Sequence, residues 1–277
     1  MRTTLAALAL LALTACEAQP EGEPVARARI DGQPQDAAGD TPTPAATLAS
    51  QVESACRSII FEDTPLTHCL AVPERHEIST ALDRGGSRYG SLARYADAND
   101  GDTIAFAMNA GIFGDGERPA GYFVEDSERL SELDTGSGSG NFYMKPNGVF
   151  YGSGGDWQVR ETDWFLANVT ERPQFGTQSG PMLIVDGKIH PQIVHDGPSR
   201  KIRNAVGIDG EGRAHFVISN APISFGKLAR FYKNELEAEN ALFLDDTVSL
   251  LWNPATDRLD TGAAIGPILV VRKKASE

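Results

Sequence analysis

The sequence predicts an α+β single domain over residues 48–277, with a largely antiparallel mixed β-sheet core and flanking helices. Three observations predict it: many short apolar runs of strand length, Asn-Gly and Asp-Gly pairs between them, and only one segment with a sustained helical period. In chain order, residues 48–60 read as an opening helix, 66–72 and 103–108 as strands, and the stretch bearing Leu92 and Tyr95 as a short amphipathic helix. Residues 111–121, dense in Gly, Pro and charge, read as a loop. Strand candidates follow at 122–124, 142–145, 148–151, 157–160, 182–185 and 188–189, with Pro146-Asn147-Gly148 and Asp186-Gly187 as turns. Asp209-Gly210-Glu211-Gly212 joins strands 205–208 and 214–219 into a further hairpin. Leu228, Phe231, Tyr232 and Leu236 recur three and four apart, which predicts a helix from Ser224 to about Glu239-Asn240. Residues 241–244 and 268–271 return to strand, and hairpins in this number make the sheet antiparallel.

The first residues read as a targeting signal. Arg2 carries the charge, an apolar run covers residues 5–13, and Leu13-Thr14-Ala15-Cys16 closes it with small residues. The run is well short of the ~20 residues that span a bilayer, so residues 1–15 are expected to be cleaved. A cysteine directly after Leu-Thr-Ala resembles the lipobox of bacterial lipoproteins, which implies lipidation of Cys16; plain secretion is the alternative. Several acyl chains, at roughly 0.8 kcal/mol per buried methylene, would hold the protein on a membrane leaflet. Glu17 does not match the inner-membrane retention signal, so an exported lipoprotein of the outer membrane, facing the periplasm or cell exterior, is expected. Residues 16–47 are rich in Pro, Ala, Gly and acidic side chains and cannot offset their ordering entropy by burial; they are expected to be a disordered tether.

The formal charge of −13, with basic clusters only at Arg200-Lys201-Arg203 and Arg272-Lys273-Lys274, argues against a nucleic-acid partner and against a broad anionic-lipid surface. Cys56 and Cys69 form an even pair once Cys16 is set aside, and a disulfide between them would stabilise the domain by about 2 to 4 kcal/mol. The histidines show no metal-ligand spacing, and only His195, beside Asp196 and near Arg200, stands close to other chemistry. Ser179 lacks the Gly-x-Ser-x-Gly elbow of a Ser-His-Asp hydrolase. Trp252 is the tryptophan placed to stack on a sugar, although core packing is the commoner use.

Four polar clusters fall at expected strand ends: Asn109-Ala110-Gly111-Ile112-Phe113, Gln178-Ser179-Gly180-Pro181-Met182, Arg200-Lys201-Ile202-Arg203-Asn204 and Leu244-Asp245-Asp246-Thr247-Val248-Ser249. Strand ends of one sheet can bring such groups to one pocket. Each has a plainer reading. Asn109 can cap a turn, Ser179-Gly180-Pro181 is turn chemistry anywhere, Arg203 can pair at the surface, and Asp245 can cap residues 246–249.

Taken in order, the clusters resemble the phosphodiester glycosidase family named for N-acetylglucosamine-1-phosphodiester alpha-N-acetylglucosaminidase, over residues 103–271. The family's Asn-Ala/Gly-Gly-aromatic turn is matched at residues 109–113, with Ile112 intervening, and its Ser-Gly-Pro turn at residues 179–181. Its Arg ahead of an Ala-Val/Ile-Gly-Ile-Asp strand is matched by Arg203 and residues 205–209, and its Asn-Ala-Leu-x-Leu-Asp by residues 240–245. One departure stands out: many members continue as Asp-Gly-Gly-Gly-Ser, where this chain has Asp246-Thr247-Val248-Ser249 after Asp245 and so lacks glycines that let a backbone approach a phosphate. The chain looks like a diverged bacterial branch.

The resemblance implies hydrolysis of a sugar-1-phosphodiester on the glycosidic side, in an envelope or extracellular glycan. That chemistry needs a grip on an anion and a stabiliser for an oxocarbenium-like sugar. On that reading Asp245, Asn109 and Arg203 are the catalytic residues, with Asp245 as nucleophile, base or cation stabiliser. Ser179, Gly180, Arg200 and Ser249 would bind substrate or phosphate. No cofactor is certain; Asp245 with Asp246 could hold a divalent cation such as calcium. The rival expectation is a non-catalytic phosphosugar-binding lipoprotein of the same fold.

Overall fold

The computed structural model describes residues 54–114 and 118–275. The expected signal segment 1–15, the expected lipidation site Cys16 and the expected tether 16–47 lie outside the described residues. Within them, strands dominate. The chain opens with β1 (Cys56–Phe61), β2 (Thr64–Ala71) and β3 (His76–Ala81), then a small ribbon of β4 (Asp83–Arg84) and β5 (Ser87–Arg88). Helix α1 (Leu92–Asp97) precedes β6 (Ile104–Asn109) and the hairpin of β7 (Phe123–Glu125) and β8 (Glu128–Ser131). A second hairpin, β9 (Gly148–Ser153) and β10 (Asp156–Glu161), runs into α2 (Thr162–Asn168). β11 (Phe175–Ser179), β12 (Met182–Val185), β13 (Lys188–Ile189), β14 (Asn204–Asp209) and β15 (Ala214–Ser219) follow. Helix α3 (Phe225–Asn234) leads to β16 (Ala238–Phe243), β17 (Leu251–Asn253), β18 (Arg258–Leu259) and β19 (Ile268–Lys273).

These strands form a seven-stranded sheet in the order β1-β2-β15-β14-β16-β12-β13 and two five-stranded sheets, β10-β9-β11-β7-β8 and β18-β17-β6-β19-β3. The adjacent strands pair antiparallel, as the many hairpins lead one to expect. Two-residue turns close four of those hairpins. Glu62-Asp63, Asp126-Ser127, Gly154-Gly155 and Asp186-Gly187 all take positive φ at both central residues, the geometry whose twist matches the flanking strands.

Alternation along each strand then sorts side chains between two layers. Phe216 and Ile218 of β15, Phe106 and Met108 of β6, and Phe150 of β9 point into one central core shared by the three large sheets. The opposite faces are covered by helices. α3 packs Leu228, Phe231 and Tyr232 on the seven-stranded sheet, α1 packs Leu92 and Tyr95 on the β6 sheet, and α2 packs Phe165 on the β9 sheet. Ser91 and Ser224 start α1 and α3 by accepting from the Arg94 and Lys227 amides at 3.2 and 3.1 Å, as helix N-caps do. Among the described residues no helix is long and apolar enough to cross a membrane.

Three expectations are corrected. Where the opening helix falls on described residues, the chain is instead β1, paired residue for residue with β2 from Cys56↔Cys69 to Phe61↔Thr64. Residues 142–145 are not a strand; a 3-10 turn at Asn141–Tyr143 buries Phe142 and leads to the cis Lys145-Pro146 bond. Helix α3 ends at Asn234, five residues early, because the chain reverses at Glu237 with φ of 47° and re-enters the sheet as β16. The expected disulfide is present: Cys56 and Cys69 face each other across β1 and β2 with their Cα atoms 3.9 Å apart.

Candidate functional site

The seven-stranded sheet and the β6 sheet meet where β6 ends, where β14 begins and where the chain leaves β16. Each of these points carries a polar side chain. Asn109 closes β6, Asn204 opens β14, and Asp245 lies two residues beyond β16, held there by the Leu244 amide donating to the Asn204 carbonyl at 3.1 Å. All three are buried, with Asp245 only 1 % exposed. Polar groups so enclosed must find partners among themselves.

They do so in a closed set of hydrogen bonds. Asn109 Nδ2 donates to Asp245 Oδ2 at 3.1 Å and to the Val248 carbonyl at 2.7 Å, while its Oδ1 accepts from the Leu250 amide at 2.9 Å. Asp245 Oδ1 accepts from the amides of Thr247 and Val248 at 2.9 and 3.2 Å. Burial pushes the Asp245 carboxyl up to about 6, and the hydrogen bonds from Thr247, Val248 and Asn109 oppose that rise without cancelling it. The group is therefore mostly ionised at neutral pH but poorly solvated, the condition of a carboxylate suited to attack, to take a proton or to face a cation.

Ser179 and Ser249 join the same cluster. Ser179, the last residue of β11, is wholly buried and donates its hydroxyl to the Leu244 carbonyl, one residue before Asp245. Ser249 donates to the Ile202 carbonyl at 3.3 Å and lies 3.4 Å from Asn204 Oδ1. Asn204 is the member that residue-by-residue reading left unassigned, although it sits in the Arg200-Lys201-Ile202-Arg203-Asn204 cluster.

Arg203 is placed differently. Strand alternation turns its side chain away from that of Asn204, toward α3. It is fully buried, with Nε donating to the Ile223 carbonyl at 3.0 Å, Nη2 to Ser199 Oγ at 3.0 Å, and its guanidinium 3.7 Å over the Phe225 ring. Nη1 has no hydrogen-bond partner. Burial lowers its pKa to about 10, with the nearby Asp246 charge pulling the other way, so it stays a cation at neutral pH. The surface-pair reading of Arg203 does not hold. Arg200 is exposed and paired with Asp196 at 2.5 Å, and Lys201 donates to the Asp246 carbonyl at 3.0 Å.

The remaining candidates resolve by packing. A Cβ on Gly180 would meet the Asn147 Cβ and the Phe142 carbonyl, both at 2.7 Å, so that glycine is needed for the close approach of the 141–147 segment. Trp252 is in the core of the β6 sheet, edge-on to Tyr95 at 6.0 Å. Among the described residues no three His, Cys, Asp or Glu side chains gather to hold a metal ion, and N–H groups already occupy both oxygens of Asp245.

Residues 102–249 match the model of the phosphodiester glycosidase family. A curated relative, the Escherichia coli (strain K12) uncharacterized protein YigE, is 38 % identical over 168 residues, covering 60 % of this chain. The chain spans 65 % of that relative's length. Among solved structures, the catalytic domain of zebrafish N-acetylglucosamine-1-phosphodiester alpha-N-acetylglucosaminidase, auto-inhibited by its pro-peptide, aligns with a TM-score of 0.53 and 15 % identity over 79 % of this chain and 82 % of its own. A putative exported protein from Burkholderia pseudomallei K96243 aligns with a TM-score of 0.52 and 10 % identity over 75 % of this chain and 74 % of its own. At these identities the two structures show a shared fold.

Proposed function

The chain belongs to the phosphodiester glycosidase family, and from that premise we propose that it is a hydrolase cleaving a sugar-1-phosphodiester on the glycosidic side, in an envelope or extracellular glycan. The observation that carries this reading is the buried Asp245 carboxylate held by Asn109, with a pKa raised to about 6 by burial. In the proposed reaction the bond between the anomeric carbon and the bridging oxygen breaks. A phosphomonoester leaves with that oxygen, and water supplies the hydroxyl that ends on the sugar. Asp245 stabilises the oxocarbenium-like centre, attacks it, or takes the proton from that water. The departing phosphate is already a stable anion, so one well-placed carboxylate suffices where an ordinary glycosidase uses two. The unpartnered Nη1 of Arg203 is the donor we assign to a phosphate oxygen.

A second reading is favoured by one observation. Asp245 Oδ1 closes the 245–248 turn through the Thr247 and Val248 amides, in the segment where many family members carry glycines. A chain that kept the fold and the buried polar cluster but lost turnover would be a phosphosugar-binding lipoprotein. Asp245→Ala separates the two. An enzyme loses turnover by roughly 10²- to 10⁴-fold while keeping ligand affinity, whereas a binder shows no turnover before or after. Hydrolysis in oxygen-18 water tests the bond assignment. Label on the sugar supports cleavage at carbon, and label on the phosphate rules it out.

For location we propose an exported lipoprotein anchored through Cys16 in the outer membrane, facing the periplasm or cell exterior. Cys16→Ala should then release the chain from the membrane fraction, and an unchanged distribution would refute the anchor.

A further inference from the structure

We propose that Asn204 is a positioning residue, acting through Asn109 to aim a hydrogen-bond donor at the Asp245 carboxylate; its place in a reaction rests on the reading of Asp245 given above. A primary amide can be turned either way, and here backbone groups decide. The Leu250 N–H can only donate and the Val248 carbonyl can only accept, so Asn109 must turn Oδ1 to the first, at 2.9 Å, and Nδ2 to the second, at 2.7 Å. That orientation delivers Nδ2 to Asp245 Oδ2 at 3.1 Å.

Asn204 holds the same orientation from the other side. Its Nδ2 donates to the Asn109 backbone carbonyl at 2.9 Å and to Asn109 Oδ1 at 3.0 Å. The carbonyl admits only a donor, so the Asn204 amide is also fixed, and its Oδ1 is left facing the Ser249 hydroxyl at 3.4 Å. Asn109 and Asn204 are 95 residues apart and belong to strands of different sheets, β6 and β14. The contact is thus a side-chain tie between the two sheets at the point where the carboxylate sits. With both amides fully buried, bulk water does not reach them in the intact chain, and the Asn204→Leu variant fills the space a water could otherwise take. Without the Asn204 donor, Asn109 Oδ1 keeps only the Leu250 N–H, and its amide is freer to turn Nδ2 away from Asp245. The carboxylate then loses a charge-stabilising bond.

The test uses the full chain and two variants. Asn204→Ala removes the amide, and Asn204→Leu keeps its bulk without donor or acceptor. The readouts are a ¹³C and ¹⁵N NMR titration of the Asp245 carboxyl and of the Asn side-chain amides, and the pH profile of hydrolysis of hexose- and hexosamine-1-phosphate alkyl diesters. In the unmutated chain the Asn109 and Asn204 amide signals should both move with the Asp245 midpoint. In either variant that midpoint should rise by about 0.5 to 1 pH unit, with kcat falling more than KM rises. An Asn204 signal that stays flat through the Asp245 titration, or a midpoint unchanged in a folded variant, overturns the proposal. If neither variant folds, the unmutated titration decides. A chain that hydrolyses none of the diesters yet shows the coupled titration keeps Asn204 as the positioning residue of a binding site and removes the hydrolase reading. Turnover with an uncoupled titration does the reverse.

Discussion

Asn109 and Asp245, 136 residues apart in sequence, meet through a buried 3.1 Å hydrogen bond that joins the end of one sheet to the chain leaving another. The burial of this pair, which the Asn109 bond only partly offsets, sets the pH behaviour expected of the proposed reaction. Because burial holds the Asp245 carboxyl near 6, the active ionised form is lost as pH falls through that value. kcat/KM for a glycosyl phosphodiester should therefore fall tenfold per unit below about pH 6 and be level above it. A profile that stays level down to pH 4.5 would show that Asp245 is not the titrating group.

Arg203 makes the second prediction, because packing and the proposed phosphate contact fall on one side chain. Arg203→Ala strips donors from the Ile223 carbonyl and from Ser199 and opens a hole against Phe225. It should cost roughly 2 to 4 kcal/mol in urea unfolding. Arg203→Lys keeps the charge and most of the volume but loses the planar fork, so it should fold nearly as well and bind a sugar-1-phosphodiester about tenfold more weakly. Unchanged affinity in the lysine variant, measured by calorimetry, would make Arg203 purely structural.

A third prediction comes from the α3-covered face of the seven-stranded sheet, at β2 and β15. His68 Nε2 lies 3.0 Å from His215 Nδ1, and His215 Nε2 lies 2.9 Å from Asp209 Oδ2, all buried. The carboxylate only accepts, so His215 donates from Nε2 and accepts at Nδ1 from His68. Burial, with His215 and Arg57 adding to it, lowers His68 to about 3, and burial also lowers His215 against the pull of Asp209. Both folded values lie below the unfolded 6.5, so between them the unfolded chain binds more protons. Stability is then complete above about pH 6.5 and falls as acid is added, by up to about 1.4 kcal/mol per unit for each histidine. His68→Gln can still donate to His215 but cannot be protonated. It should flatten the decline in urea midpoint between pH 7 and 5, and an equally steep decline would exclude His68 as its source.

Much of this was legible in the sequence, and the gaps have physical causes. Asp186-Gly187 announced its hairpin because glycine is the residue that most readily takes positive φ. Glu62-Asp63 and Asp126-Ser127 adopt the same geometry without glycine, so β1 read as a helix and β8 was not seen. Asn109, Ser179 and Asp245 were found because each stands at a strand end in a motif with ordered neighbours. That Arg203 faces α3 while Asn204 faces Asn109 follows from strand alternation, but only once β14 is known to begin at Asn204. The Asn109–Asn204 tie joins two sheets, and no local pattern encodes such a pairing.

The disulfide supplies the last prediction. Cys56 and Cys69 pair across β1 and β2 at a sequence separation of 13, and β1 is the edge strand of the seven-stranded sheet. An edge strand has a ladder on one side only, so the bridge is a main restraint on its fraying. Closing a loop of this length lowers the entropy of the unfolded chain and should contribute about 3 kcal/mol. The double variant Cys56→Ala, Cys69→Ala should therefore unfold at lower urea. Its turnover should match that of the unmutated chain, because β2, β15 and β14 stand between β1 and the strand that leads to Asp245. Hydrogen exchange should show the loss concentrated in the β1 and β2 amides; protection lost first around Asn109 and Asp245 would mean that the bridge supports the site and not the edge.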